Sequence, residues 1–206
     1  MHRGSIRRVA FVVATLAWCG ALATGLFVLW TYDGAAAPAG EPPSRWPSGS
    51  AISQPHACPT LLLFAHPHCP CTRASLDELI ALMTHTRGLA TVHVIFSAPA
   101  DAPDSWTHSA SWDFAASIPD VRVVVDKDSR EAQRFGVLAS GHVLLYGTDG
   151  ALLFNGGITP ARGRVGDNDG RAAIDALLTG QQPGRSHTPL FGCLLSTRTP
   201  APTGKS

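Results

Sequence analysis

The chain has 206 residues, of which 45% are hydrophobic and only 15% charged, with a formal net charge of +1. That length suits one globular domain with appendages and excludes two full domains of ordinary size. The balanced charge, with no basic stripe interleaved with aromatics, excludes a nucleic-acid footprint, and five cysteines are too few for a disulfide scaffold.

Residues 1–8 carry Arg3, Arg7 and Arg8, and residues 9–30, Val9 to Trp30, contain no charged side chain. Such a run reaches about 33 Å as a helix, enough to cross a bilayer core. Positive charge before it and Asp33 after it place the N-terminus in the cytoplasm and export the rest of the chain, with Trp30 and Tyr32 suited to the far interface. A cleavable signal peptide is the rival, because Ala21-Leu22-Ala23 resembles a cleavage site. Apolar sequence continues past it to Trp30, which favours an uncleaved anchor in the inner membrane. A lipoprotein cysteine at Cys19 is disfavoured by bulky Trp18 before it. Residues 31–55, rich in Ala, Pro, Gly and Ser, read as a flexible spacer. A globular domain is expected over 56–182, with a tail over 183–206 whose end, from Thr199, reads as disordered.

Within the domain, Thr60 to Ala65 is an apolar run suited to a buried strand, and Leu76, Leu79, Ile80 and Met83 recur at helical spacing. Further strands are expected over 91–96 and 121–125. Residues 98–104 read as loop, and helices are expected over 109–117 and 129–135, the second closed by Gly136. His142 to Tyr146 and Ala151 to Phe154, joined by Gly147-Thr148-Asp149-Gly150, form a hairpin. Asn168 or Asp169 caps a last helix running to Thr179, with Gly180 beyond it.

The chemistry concentrates in His66-Pro67-His68-Cys69-Pro70-Cys71, between the first strand and its helix. Pro70 fits the first helical position, so the two thiols lie at the positive end of a helix dipole, which favours thiolate. Residues two apart on a helix face different sides. Cys69 and Cys71 therefore close a disulfide only with Cys69 outside the helix, in a small strained ring that is easily reduced. Free structural cysteines and a metal site using His66 or His68 are the alternatives.

Element order, thiol pair and late hairpin together resemble a thioredoxin-like α/β fold, a central mixed sheet flanked by helices, over about residues 57 to 180. More narrowly, Phe64-Ala65-His66-Pro67-His68-Cys69-Pro70-Cys71-Thr72-Arg73-Ala74-Ser75 resembles a group of membrane-anchored proteins known as RedB-like. Two departures stand out. The motif is Cys-Pro-Cys where thioredoxins have Cys-Gly-Pro-Cys with a preceding tryptophan. Ser140-Gly141-His142 also stands where a cis-proline is expected, and Gly141 is expected to leave the backbone open to a partner chain. The resemblance implies an exposed nucleophile at Cys69 and a resolving thiol at Cys71, acting on protein thiols or disulfides with no cofactor beyond their own disulfide. His66 or His68 is a candidate to steady the thiolate.

Cys58 and Cys193 are candidates for a structural disulfide tying the tail back; alternatively Cys193 approaches the pair as a third thiol. The glycine-rich stretch Gly156 to Gly163 lacks a phosphate-loop lysine, so nucleotide binding is not expected. It reads as a rim around the thiols, with Arg162 and Arg164 exposed. Calcium at Asp167-Asn168-Asp169-Gly170 is rejected on ligand spacing. Two other readings stay open at this point: copper held by Cys69, Cys71, His66 and His68, and a non-catalytic interaction domain.

Overall fold

The computed structural model describes residues 2–54 and 57–195, side chains of residues 2–6 aside. It divides into two units, the first ending at Ala35 and the second beginning at Ala36. The first is one helix, α1 (His2–Gly34). Its stretch Arg7–Gly34 is long and apolar enough to cross a membrane by length and composition. The hydroxyls of Thr15, Thr24 and Thr31 donate to the carbonyls of Phe11, Gly20 and Val28. The threonine hydroxyls along this stretch are thus satisfied by the helix itself, which suits a hydrocarbon environment.

The second unit is a five-stranded sheet with covering helices. In chain order it runs β1 (Thr60–Ala65), α2 (Thr72–Thr86), β2 (Thr91–Ala98), α3 (Asp104–Thr107), α4 (Ala110–Ser117) and β3 (Val121–Lys127). Then come α5 (Arg130–Arg134), β4 (His142–Tyr146), β5 (Leu152–Gly157) and α6 (Asp169–Leu178). The sheet order is β3-β2-β1-β4-β5, with β1, β2 and β3 parallel and the β4–β5 hairpin antiparallel to them. β1 is therefore central and buried at every position. The short α3 falls after the expected loop, and Ser109 caps α4 by accepting from the Trp112 N–H. Asn168 caps α6, its side chain accepting from the Arg171 N–H.

Alternation along the strands divides the core in two. Leu61, Leu63 and Ala65 join Val92, Val94, Phe96, Val143 and Leu145 on one face, against Leu76, Leu79 and Leu82 of α2 and Ile174 of α6. Leu62, Phe64, Ile95, Leu144 and Tyr146 form the other face. Among the described residues, the helix that packs buried side chains into this second cluster is the five-residue α5, and other segments complete its cover.

This corrects two expectations. Residues 36–54 are not a flexible spacer but pack on the second face. Ile52 is buried there, and the Trp46 ring meets Phe135 and Tyr146 edge-on at 5.1 and 5.2 Å. The Tyr146 hydroxyl donates to the Pro43 carbonyl, and Gly40 and Arg45 bridge to Val137 and Ala151. The expected domain start at His56 lies outside the described residues, and the folded unit in any case takes in residues well before it. Likewise the tail folds back: Leu190 and Leu195 are buried, and His187 and Leu194 bridge to Asn155 and Ala139. The expected disordered end from Thr199 lies outside the described residues. Trp46→Ala is expected to cost about 2 kcal/mol, less than a fully buried tryptophan because part of the ring stays solvated. Denaturant unfolding of the full chain in mild detergent measures it, and an unchanged midpoint would return the segment to the status of a spacer.

Candidate functional site

β1 ends at Ala65, and residues 66–71 turn the chain into α2. The Cys69 N–H donates to the His66 carbonyl, and the Thr72 N–H to the Cys69 carbonyl. Helical hydrogen bonding starts with Ser75 N–H to the Cys71 carbonyl, which makes Cys71 the N-cap. Pro70 thus sits one residue before the cap and not at the first helical position. Its fixed φ shapes the turn between the two thiols.

Behind the turn, the Ser140 hydroxyl accepts from the His66 N–H at 3.0 Å and lies 3.1 Å from the Thr72 hydroxyl, which donates to the His66 carbonyl. Gly141 holds φ +85° and donates its N–H to the Phe64 carbonyl. A side chain there would press on the Ser75 hydroxyl at 3.1 Å and the Phe191 carbonyl at 3.4 Å. The glycine requirement is real, but the place is not open to a partner: the chain's own C-terminal segment fills it.

That segment decides the thiol geometry. The Ser140 N–H donates to the Cys193 carbonyl at 2.8 Å and the Leu195 N–H to the Leu138 carbonyl at 3.0 Å. So held, Cys193 brings its sulfur to 3.0 Å from that of Cys69. The Cys58 sulfur lies instead 3.3 Å from the Thr91 hydroxyl, and all the cysteines are free. The expected Cys58–Cys193 disulfide is therefore not made, because the backbone pairing at Ala139–Ser140 carries Cys193 to the other end of β1. Of the two placements weighed for Cys193, the geometry matches the third thiol. It also corrects the expectation of an exposed Cys69. Cys69 is 3% and Cys71 8% accessible, whereas Cys193 is exposed.

The three sulfurs differ in ionisation. Burial opposes charge on Cys69, but hydrogen bonds from the Cys193 thiol and N–H, the Cys71 N–H and the Ser140 hydroxyl outweigh it and lower its pKa. Cys71 is pushed up by burial and by the charge of Cys69, partly offset by Arg162 and the Gly163 N–H. Cys193 is exposed as a residue, but partial burial of its sulfur and the hydrogen bond and charge of Cys69 beside it push its pKa to about 12. Cys69 is thus the sulfur of the group whose charged form the site favours, while the site disfavours charge on its two neighbours. Arg162, expected on an exposed rim, is half-buried and donates to the Gly192 carbonyl at 2.9 Å.

Neither histidine serves the thiolate. The His66 and His68 rings pack against Trp106, with centroids 5.5 and 4.8 Å away. His66 Nδ1 accepts from the His68 N–H, and burial with the charge of His68 holds the His66 pKa below its ordinary value. Among the described residues no group of three or more His, Cys, Asp or Glu is placed to hold a metal ion. The four-residue copper set considered from the sequence is not brought together. A cavity of about 490 Å³, lined by His66, Trp106, Ser129, Gln133 and Leu194, flanks the turn on this side.

No protein-family model and no curated protein matches the chain. Among solved structures it is similar to a hypothetical protein from Sinorhizobium meliloti 1021, with 20% identity and a TM-score of 0.57, covering 79% of this chain and 96% of that one. An uncharacterized conserved protein from Geobacillus kaustophilus matches at 18% identity and a TM-score of 0.58, covering 81% and 94%. A candidate thioredoxin from Neisseria meningitidis matches at 21% identity, with a TM-score of 0.45 and coverage of 71% and 90%. The fold is thioredoxin-like. The central parallel strand leading into a thiol-bearing helix start, with the antiparallel hairpin beside it, is the arrangement the resemblance implied.

Sequence reasoning missed Ser140 as a donor to the thiolate, Arg162 as a partner of the thiols, and Trp106. The signal for Ser140 is its place in Ser140-Gly141-His142, where the resemblance expects a cis-proline.

Proposed function

We propose that this thioredoxin-like chain is a thiol–disulfide oxidoreductase acting on protein thiols or disulfides, with Cys69 as its reactive sulfur and Cys71 as exchange partner. One observation carries the reading: Cys69 lies at the start of α2 amid thiol, hydroxyl and backbone donors that favour its charged form. A low-pKa sulfur is both an ionised nucleophile and a good leaving group, which disulfide exchange requires in its two directions. The decisive test is dithiol turnover by Cys69→Ser.

The ionisation has its own measurement. Thiolate ultraviolet absorbance against pH is expected to show one step below the ordinary thiol range of about 8.5, and Cys69→Ser removes that step. Cys193→Ala shifts it upward by deleting the first of the favourable donors. Because the folded pKa is depressed, this group stabilises the reduced protein fully above the ordinary thiol value, and the contribution fades as pH falls through the folded value. A lowest step at or above the free-cysteine value would refute the assignment.

We place the chain with the RedB-like group, anchored in the inner membrane through α1 with its domain outside. What supports this is the apolar span, its preceding arginines and the self-satisfied hydroxyls along it. Protease added to intact spheroplasts is expected to digest the domain and leave an N-terminal fragment in the membrane fraction. Full protection of the domain would reverse the orientation, and a soluble mature form would mean a cleaved signal.

A further inference from the structure

We infer that Cys193 is a working third thiol: Cys69 forms disulfides alternately with Cys71 and with Cys193, and the exposed Cys193 is where partner proteins enter the exchange. The inference rests on the oxidoreductase reading and extends it to a residue in the tail.

Placement of the segment is built into the sheet and is not the chance position of a loose end. Three glycines leave room for it. A side chain at Gly156 would meet Thr188, one at Gly157 would lie 2.6 Å from the Pro189 carbonyl, and one at Gly192 would run into the Ser140 carbonyl. Both sides of Cys193 are secured, by Ala37 N–H to the Leu190 carbonyl and by the Ser140 and Leu195 hydrogen bonds. Arg162 grips the Gly192 carbonyl next to the sulfur. The two sulfurs lie within roughly 1 Å of bonding distance. Cys69 meanwhile is 3% accessible beneath an exposed Cys193. A partner disulfide or thiol meets Cys193 before it can reach Cys69.

From the oxidised centre, a partner thiolate attacks the Cys193 sulfur. The Cys69–Cys193 bond breaks, its electron pair leaves on Cys69, and a partner–Cys193 disulfide forms. Cys69 is suited to leave because Ser140 and the Cys71 N–H hold its negative charge. The partner's second thiolate then attacks its own sulfur in the mixed disulfide and releases Cys193, which takes a proton. The partner dithiol loses two electrons to the Cys69–Cys193 pair, and the reverse sequence reduces a partner disulfide. Internally, the Cys71 thiolate attacks Cys69. This forms Cys69–Cys71 and expels Cys193, which takes up the proton Cys71 gave, with no net oxidation.

The full chain in detergent, equilibrated with reduced and oxidised glutathione, acid-quenched, alkylated and digested, is expected to yield two disulfide products: one peptide with an unalkylated internal Cys69–Cys71 bond, and a Cys69–Cys193 pair of cross-linked peptides. Cys71→Ser yields only the second and Cys193→Ser only the first. Gly192→Val displaces the segment without touching a sulfur, so it loses the Cys69–Cys193 peptide and keeps Cys69–Cys71. If Cys71→Ser under oxidising conditions carries Cys69 and Cys193 as separate glutathione adducts while the wild type still forms Cys69–Cys71, the third-thiol role is overturned and the oxidoreductase reading stands. If Cys69 joins neither cysteine in any form of the chain, both fall.

Discussion

Replacing Cys69 with serine is expected to bring dithiol turnover down to the uncatalysed rate, while Cys71→Ser and Cys193→Ser each leave a measurable fraction. The asymmetry comes from the ionisation of the group. A free thiol is only a few per cent ionised near neutral pH, and Cys71 and Cys193 are both pushed above the ordinary value by burial and by the charge beside them. Once Cys69 is gone its charge is gone too, but burial, the larger cause, still opposes ionisation of both, and a serine hydroxyl at position 69 supplies no thiolate. Cys69 with either remaining partner still forms a two-sulfur couple, which is why the other variants retain activity. Stopped assays of a peptide dithiol against all three variants measure the order. Wild-type turnover by Cys69→Ser would remove the chemistry from this turn altogether.

Glu78→Ala is expected to destabilise the domain by about 3 kcal/mol, the typical cost of leaving one member of a buried ion pair without its partner. Glu78 sits on α2 and is 2% accessible. Its carboxylate accepts from the Gly166 N–H, from the Asn168 side chain at 3.2 Å and from the Arg171 guanidinium at 2.7 Å. It therefore ties the helix that begins with the thiols to the first turn of α6 and to the loop carrying Arg162. Removing it leaves Arg171, 27% accessible at its side chain, with the longer 3.4 Å contact to exposed Asp167, and takes the carboxylate from the Asn168 side chain that caps α6. Pairing Glu78→Leu with Arg171→Leu is expected to recover much of the loss, because two apolar groups leave no charge unpaired. Denaturant midpoints of the single and double variants separate the two effects. A loss below about 1 kcal/mol for Glu78→Ala would show the pair to be as weakly coupled as a surface one.

The expectations that held and those that failed divide along a physical line. Thr60 to Ala65 as the buried strand, the helical spacing of Leu76, Leu79, Ile80 and Met83 (of which Ile80 turns out exposed), the Asp149-Gly150 hairpin and the Asn168 cap each rest on residues within a few positions of one another. Local patterns of this kind are visible in any linear reading. The segment 36–54 failed because Ala, Pro, Gly and Ser around a single tryptophan show no period, and Trp46 has meaning only beside Phe135 and Tyr146. How the tail is held was hidden for the same reason: Leu190 to Leu195 are fixed by backbone pairing with Leu138, Ala139 and Ser140, which no side-chain pattern announces, although a return of Cys193 to the thiol pair was among the expectations.

By itself the amino-acid sequence determined a long apolar N-terminal helix, the order of strands and helices apart from the short α3, and the start of a helix as the position of Cys69 and Cys71. Side-chain period, caps and turn residues act over one or two turns of chain, and they were sufficient for that. Only the tertiary structure decided which thiol faces solvent and which has its charged form favoured. That choice hangs on a contact between residues 124 positions apart. It arises because the β4–β5 hairpin brings Ser140, Arg162 and the returning C-terminal segment to the end of β1, and such a convergence exists only once the sheet has formed.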